Sequence, residues 1–148
     1  MNENLGFLIS DVGRLLRRRF DADASTLGVT RAQWRVLLSL SREEGIKQAS
    51  LAERLEVEPI SLCRMVDRLA EASLVERRRD PNDRRAWLIY LKEPARPLID
   101  QLRDVGAGVS AAATGNLSAD EIEQLGHLLN KVRDGLTSPA SKGNRAHG

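Results

Sequence analysis

Residues 51–91 have the sequence LAERLEVEPISLCRMVDRLAEASLVERRRDPNDRRAWLIYL, in which helical spacing of apolar residues gives way to a strand-like alternation. Just before this stretch, Ser50 begins a capping-box pattern with Glu53, which predicts the start of a short helix. Pro59 suits the first turn of a second helix that runs to about Ala72. The two helices are therefore separated by a tight connection of three residues.

Two extended runs follow this helix pair, at residues 74–80 and 86–92. The second run alternates apolar side chains as a strand does, and residues 81–85 between the runs are typical of a hairpin turn. A short helix, a tight turn, a second helix and a basic hairpin, in this order, predict a helix-turn-helix with a wing.

The second helix has two faces of opposite character. One face is apolar at positions i, i+4 and i+7, and is expected to turn toward the core: Leu62, Val66 and Leu69, with Met65 beside them. The opposite face carries Ser61, Arg64 and Arg68, and arginine is the side chain that bonds guanine O6 and N7 together in the major groove of DNA. The alternative is that the two arginines are solvated charges paired with Asp67 and Glu71.

Five arginines lie within nine residues of the hairpin: Arg77, Arg78, Arg79, Arg84 and Arg85. A projecting hairpin with arginine at its tip can enter the minor groove, where a narrow width concentrates negative potential. Asp80 and Asp83 are expected to orient these arginines by fork-to-carboxylate pairing. The alternative, a merely solvated charge run, is weakened by the neighbouring helix face.

Amphipathic helices are predicted on both sides of this unit, at residues 5–20, from Thr30, from about 94 to 115, and after Ser118. Their apolar faces exceed what one small winged helix can cover, which predicts a homodimer. The expected fold is mainly α with a small β-hairpin (α+β). One domain over 1–137 would comprise a winged helix-turn-helix at about 30–92 and dimerisation helices at 1–29 and 93–137, before a disordered tail at 138–148.

Composition excludes several classes of protein. One cysteine and two histidines in 148 residues do not supply the ligands of a structural zinc site, and no phosphate-binding loop or nucleophile motif indicates an enzyme. No metal, cofactor or catalytic residue is therefore expected. No apolar run is long enough to cross a membrane, and the start of the chain lacks a signal-peptide pattern, so we expect a cytoplasmic location. Residues 59–92 carry eight basic and five acidic side chains, whereas the whole chain has a net charge of +2.

The stretch 51–91 resembles the winged-helix core of the MarR family of transcription regulators. The wing DPNDRR at 80–85 and the preceding LVERR at 74–78 are the specific parts, and the similarity is closest to the SlyA branch. Weaker similarity extends to TRAQWRVLLSL at 30–40 and LSADEIEQLGHLLNKV at 117–132. The resemblance implies a triangular homodimer that presents two winged helices to a pseudo-palindromic operator, and a ligand crevice beside the dimerisation helices.

The resemblance also implies roles for particular residues. Arg64 aligns with a DNA contact of the recognition helix, Asp83 and Arg85 align with the wing-tip pair, and Arg84 is expected to share the minor-groove role. Arg14, Arg17 and Trp34 align with positions that line a pocket for salicylate-type anions in the SlyA branch. A small aromatic carboxylate is therefore the expected effector. For these three residues the alternative is an ordinary core tryptophan and an arginine-rich helix face that is solvated or lies in an interface.

The chain departs from the family pattern at three places. Glu56 and Ser73 stand where glycine is usual, and EPARP at 93–97 replaces the usual Gly-Arg after the second wing strand. Cys63, in the recognition helix, is expected to be a buried small hydrophobic residue, with a thiol switch as the alternative.

Three rival functions remain open beside the expected regulator, which is expected to repress. The first is an architectural protein that binds any duplex. The second is a winged helix that binds protein, although the outward face of the second helix lacks the apolar residues it would need. The third is a small enzyme.

Overall fold

A computed structural model describes residues 4–137, so the predicted disordered tail at 138–148 lies outside the described residues. Over these residues the helices are α1 (Leu5–Ala24), α2 (Arg31–Arg42), α3 (Gln48–Leu55), α4 (Pro59–Glu71), α5 (Ala95–Ala113) and α6 (Ala119–Thr137). The strands are β1 (Ile46–Lys47), β2 (Val75–Asp80) and β3 (Asp83–Leu91), and Ser25–Leu27 forms a 3-10 turn after α1. The expected fold class, mainly α with a small β element, is confirmed.

Two compact units make up the chain, the first reaching to Val109 and the second beginning at Ser110. In the first unit α3 and α4 form the helix-turn-helix, and β2 and β3 form the wing. The antiparallel sheet has the order β1-β3-β2, with Ile46 opposite Ile89 and Val75 opposite Leu91. The predicted apolar stripe of α4 faces the core, where its three main members are fully buried: Leu62, Val66 and Leu69.

The wing is tighter than its sequence predicts. Only Pro81 and Asn82 lie between β2 and β3, so the expected five-residue turn is wrong, and Arg84 and Arg85 belong to the second strand. The strands pair as far as Asp80 opposite Asp83, after a register shift next to Asp80. The Asn82 amide donates to Asp80 Oδ1 at 2.9 Å, which closes the turn locally and lets the strands continue to the tip.

Capping boxes form at the start of two helices. At α2, Thr30 and Gln33 exchange side-chain and backbone hydrogen bonds, and at α6 the Ser118 amide donates to Glu121 Oε1 at 2.9 Å while Ser118 Oγ accepts from the Glu121 amide. The predicted cap at Ser50 is wrong, because α3 already begins at Gln48. The chain enters this helix directly from β1, whose two-residue pairing with β3 the sequence pattern does not reveal.

Glu56 and Ser73 both adopt the left-handed conformation, with φ of 54° and 62°. Each ends a helix, Glu56 after α3 and Ser73 just beyond α4. A residue with a Cβ atom costs about 1 kcal/mol in this conformation relative to glycine. Both turns therefore adopt the left-handed conformation without a glycine.

Helices α1 and α6 each expose apolar side chains. No residue of α6 is buried, and its large hydrophobic residues are at least 39% exposed: Ile122, Leu125, Leu128, Leu129, Val132 and Leu136. On α1 the exposed set is Leu5, Phe7, Leu8, Ile9, Val12 and Leu15. Within residues 4–137 no helix is long and apolar enough to span a membrane.

Candidate nucleic-acid interface

Arg64 and Arg68 lie on the exposed face of α4 and form no ion pair or hydrogen bond with the other described residues. The alternative that they pair with Asp67 and Glu71 is wrong, because Asp67 forms its ion pair with Arg77 instead. Ser61, on the same face, is half-buried. The helix therefore presents two uncompensated guanidinium groups to the surroundings.

Arg77 is largely enclosed and bonds other residues of the protein, rather than lying exposed at the surface. Its guanidinium lies 2.7 Å from Asp67 Oδ1, and it donates to Gln48 Oε1 at 2.9 Å and to the Cys63 carbonyl at 3.0 Å. The side chain is only 20% exposed. Arg77 thus joins β2 to both helices of the helix-turn-helix.

The thiol of Cys63 is half-buried rather than fully buried as expected. Its Sγ lies 3.7 Å from Arg77 Nη2. The Cys63 carbonyl accepts from Arg77, so the backbone at this position is joined to the wing.

The next two arginines of β2 stack on aromatic rings of β3. Arg78 lies 3.9 Å above the Tyr90 ring, and a hydrogen bond with Glu76 raises the pKa of Arg78. Arg79 lies 3.9 Å above the Trp87 ring and donates from Nη1 to the Arg84 carbonyl at 2.7 Å. Both contacts stiffen the wing, since cation–π stacking fixes long side chains that would otherwise move freely.

The wing-tip aspartates bind backbone amides and not arginine forks, so the expected pairing is wrong. Asp83 Oδ1 accepts from the Arg85 amide at 3.0 Å. Asp80 is 8% exposed and, besides closing the turn, lies 3.9 Å from Lys47 Nζ. A two-residue tip leaves these short side chains nearer to backbone amides than to guanidinium groups.

Arg84 and Arg85 are exposed, and their guanidinium groups form no hydrogen bond or ion pair with the described part of the chain. Arg85 lines a groove of about 430 Å³ between the wing and the N-terminal ends of α3 and α4, together with Lys47, Pro59 and Trp87. No pattern in the sequence singles out Lys47, because only the short strand β1 brings it beside the wing. Free arginines on α4 and on the wing thus belong to one compact unit.

The three predicted ligand-binding residues do not meet. Trp34 lines a cavity of about 690 Å³, whereas Arg14 and Arg17 do not line it. Arg14 is exposed and lies 3.6 Å from Asp11, and Arg17 is exposed as well. The arginines that do line the cavity come from α2, α3 and α5, and no local spacing in the sequence signals that they converge: Arg35, Arg42, Arg54 and Arg103.

Asp21 fixes the tryptophan in this cavity. Trp34 Nε1 donates to Asp21 Oδ1 at 2.7 Å, and Arg31 Nε donates to Asp21 Oδ2 at 2.6 Å. Partial burial alone would raise the pKa of Asp21, but hydrogen bonds from Arg31 and Trp34 and the charge of Arg31 outweigh it and lower the pKa. Because its nitrogen is engaged, the indole presents its ring to the cavity, 4.5 Å from the Phe20 ring.

A winged helix with free arginines on both its second helix and its wing defines a class, the winged-helix DNA-binding regulators. A family model described as MarR family matches residues 29–87. The Multiple antibiotic resistance protein MarR of Escherichia coli (strain K12) is 36% identical over 129 residues, which are 86% of this chain and 90% of that protein. The chain belongs to the MarR family.

Solved structures show the same architecture. A crystal structure of mutant MarR from E. coli complexed with operator DNA has a TM-score of 0.72 and 36% identity, covering 86% of this chain and 92% of that one. A Mycobacterium tuberculosis MarR family protein in complex with salicylic acid has a TM-score of 0.74 and 27% identity, covering 88% of this chain and 97% of that one.

Proposed function

We propose that this chain is a sequence-specific transcriptional regulator that binds pseudo-palindromic operators as a homodimer and represses the genes beside them. The observation that carries the proposal is the set of arginines without protein partners among the described residues, two on α4 and two on the wing. The complex of E. coli MarR with operator DNA supports it. Within the family, the wing sequence at 80–85 favours the SlyA branch.

In this proposal the helix and the wing read different grooves. Ser61, Arg64 and Arg68 enter the major groove, where Arg64 bonds a guanine through both arms of its fork. Arg84 and Arg85 reach into or beside the minor groove. Asp83 belongs to the proposed wing tip and fixes the backbone beside the two arginines through its bond to the Arg85 amide.

Arg78 also belongs to the proposed interface, but its role differs from that of the tip arginines. Its guanidinium is paired with Glu76 and stacked on Tyr90, so it carries less free charge than the arginines at the tip. We expect Arg78 to contribute through the shape of the wing and through the field of its charge on a nearby phosphate.

The homodimer rests on the apolar faces of α1 and α6. Exposed patches of this kind on a chain without membrane-spanning helices in its described part are typical of interfaces between protein copies. We propose that residues 1–29 and 93–137 dimerise, within one MarR-like domain over 1–137. A dimer on a palindrome places its recognition helices about 34–36 Å apart, one turn of DNA.

We further propose that a small aromatic anion releases the protein from DNA. The salicylic acid complex of the M. tuberculosis relative supports this chemistry. Trp34 belongs to the proposed site because it lines the cavity, whereas Arg14 and Arg17 would act from outside it. A transcription regulator works where the DNA is, and a cytoplasmic location is part of the proposal.

Binding to two duplexes over a range of salt concentrations tests the proposal. A palindromic promoter fragment and a shuffled fragment of equal length are titrated in a fluorescence anisotropy assay. We expect the logarithm of affinity to fall linearly with the logarithm of salt concentration, and the palindrome to bind roughly 1,000-fold tighter or more. Equal binding to both duplexes would instead identify an architectural protein.

A pair of matched variants tests whether the wing binds DNA. Arg85→Ala should weaken binding most at sites with A/T-rich flanks, because their narrow minor groove has the strongest negative potential. Arg42→Ala removes an equal charge from an exposed position on α2 and should leave affinity nearly unchanged. Equal losses in the two variants would mean that the wing is not the DNA-binding element.

A further inference from the structure

We propose that the cavity beside Trp34 takes an aromatic ligand with two acidic groups, in preference to one with a single carboxylate. The inference rests on the proposed ligand response and assigns the chemical class of the effector. The cavity, at about 690 Å³, lies within the size range of small-molecule sites.

The charge around the cavity is of one sign. Its lining includes four arginines and no acidic side chain: Arg35, Arg42, Arg54 and Arg103. Arg54 and Arg103 come from α3 and α5, whereas Arg35 and Arg42 both come from α2, seven positions apart and so on one face of that helix. A cleft with charge of one sign and partly apolar walls concentrates ligands of the opposite sign.

Two of these cations lack an acidic partner among the described residues. Arg35 Nη2 donates to the Leu55 carbonyl at 2.6 Å, which fixes the side chain but leaves its charge uncompensated. Arg42 is exposed and has no ion pair in residues 4–137. By contrast, Arg54 lies 2.6 Å from Glu43, and Arg103 lies 3.8 Å from Asp100 in an exposed pair.

A single carboxylate can pair with one guanidinium through both of its oxygens. A ligand large enough to rest on the Trp34 ring would then remove water from the second uncompensated guanidinium without replacing its hydrogen bonds. Burying an unpaired charge in this way costs free energy. A second acidic group on the ligand supplies the missing partner, and the two groups are served by Arg35 and Arg42.

The body of the ligand is inferred from the walls of the cavity. The indole of Trp34 is held by its bond to Asp21 and stands 4.5 Å from the Phe20 ring, so two aromatic rings line one side. Aromatic rings pack well on flat apolar groups in offset or tilted arrangements. The inferred class is therefore an aromatic ring with two carboxylates.

Benzoate and isophthalate differ by one carboxylate on the same ring, and both are fully ionised near pH 7. Isothermal titration of the full-length protein at constant ionic strength compares them. We expect isophthalate to bind at least tenfold tighter than benzoate. Arg42→Gln should abolish this advantage and leave benzoate affinity within about twofold, whereas Lys92→Gln, at an exposed position outside the cavity and the proposed dimer segments, should change neither affinity.

Each other outcome is decisive. Equal affinity of the two acids, with both lost in Trp34→Leu, would overturn the inference about two acidic groups and leave the proposed ligand response intact. An isophthalate advantage that survives Arg42→Gln would overturn the assignment to this cavity. If neither acid binds while the palindromic duplex still does, the inference and the ligand response both fail, and the DNA-binding proposal stands.

Discussion

The Arg77 guanidinium lies 2.7 Å from the Asp67 carboxylate, and this ion pair joins the first strand of the wing to the recognition helix α4. Both elements present proposed DNA contacts, so their relative orientation depends on a residue that does not itself face DNA. The same guanidinium bonds Gln48 of α3 and the Cys63 carbonyl.

Arg77→Ala should lower the free energy of unfolding by about 2 kcal/mol, because it leaves the Asp67 carboxylate and two hydrogen-bond acceptors without their partner. Urea denaturation followed by circular dichroism measures the loss. Arg78→Ala is the control, since it removes a half-exposed ion pair with Glu76 and stacking on Tyr90 and should lower stability by less than Arg77→Ala does. Equal losses in the two variants would contradict the role of Arg77 in joining β2 to α3 and α4.

Arg64→Ala should reduce discrimination between the palindromic and the shuffled duplex by about 1–3 kcal/mol, the range for a bidentate contact to a base. The measurement is the ratio of the two dissociation constants at one salt concentration. Arg42→Ala, which removes an exposed arginine of α2, should leave the ratio unchanged. If Arg64→Ala keeps the ratio of dissociation constants of the parent protein, Arg64 is a surface charge that makes no contact with a base.

The burial of α4 could be predicted because a helical period determines which side chains share a face, and Leu62, Val66 and Leu69 are all buried. The separate roles of the wing arginines could not be predicted. Arg77 differs from the other wing arginines because it bonds Gln48 and Asp67, which lie 29 and ten positions away in the chain. A run of charged residues carries no information about such partners. The same holds for the arginines of the cavity, which converge only in the folded chain.

Leu128→Asp should convert a dimer into a monomer at micromolar concentration. Leu128 is 48% exposed on α6, and a carboxylate at that place would be buried without a partner in the proposed interface. Sedimentation velocity measures the mass of the particle. His127→Asp adds the same charge on the opposite face of the same helix and should remain dimeric. A monomeric parent protein would refute the proposed assembly.

Asp21→Asn should destabilise the protein at pH 7 by about 1 kcal/mol and have a smaller effect at about pH 3. The pKa of Asp21 is lowered in the folded state, so its contribution is complete above the unfolded pKa of about 4 and is lost as pH falls through the folded pKa. Urea denaturation at both pH values tests this. Asp11→Asn removes only an exposed pair at 3.6 Å and should show a smaller difference.

Glu56→Gly and Ser73→Gly should each stabilise the fold by about 0.5–1 kcal/mol, because glycine adopts a positive φ without the steric cost of a Cβ atom. Ala72→Gly is the control beside Ser73. Its φ of −78° gives glycine no advantage, so the added freedom of the unfolded chain should lower stability. Thermal denaturation of the three variants compares them, and a loss of stability in Ser73→Gly would contradict the strain argument.

The two-residue tip of the wing also limits how the gene can vary. A codon inserted beside Pro81 would hardly alter composition or net charge, yet it would either open the turn that Asp80 closes or slide β3 by one position against β2. Sliding moves every side chain of β3 to the other face, so that Trp87 would leave Arg79 and the two tip arginines would exchange sides. The tip is therefore more sensitive to a change in length than to a change of residue, and substitutions should be tolerated there more often than insertions.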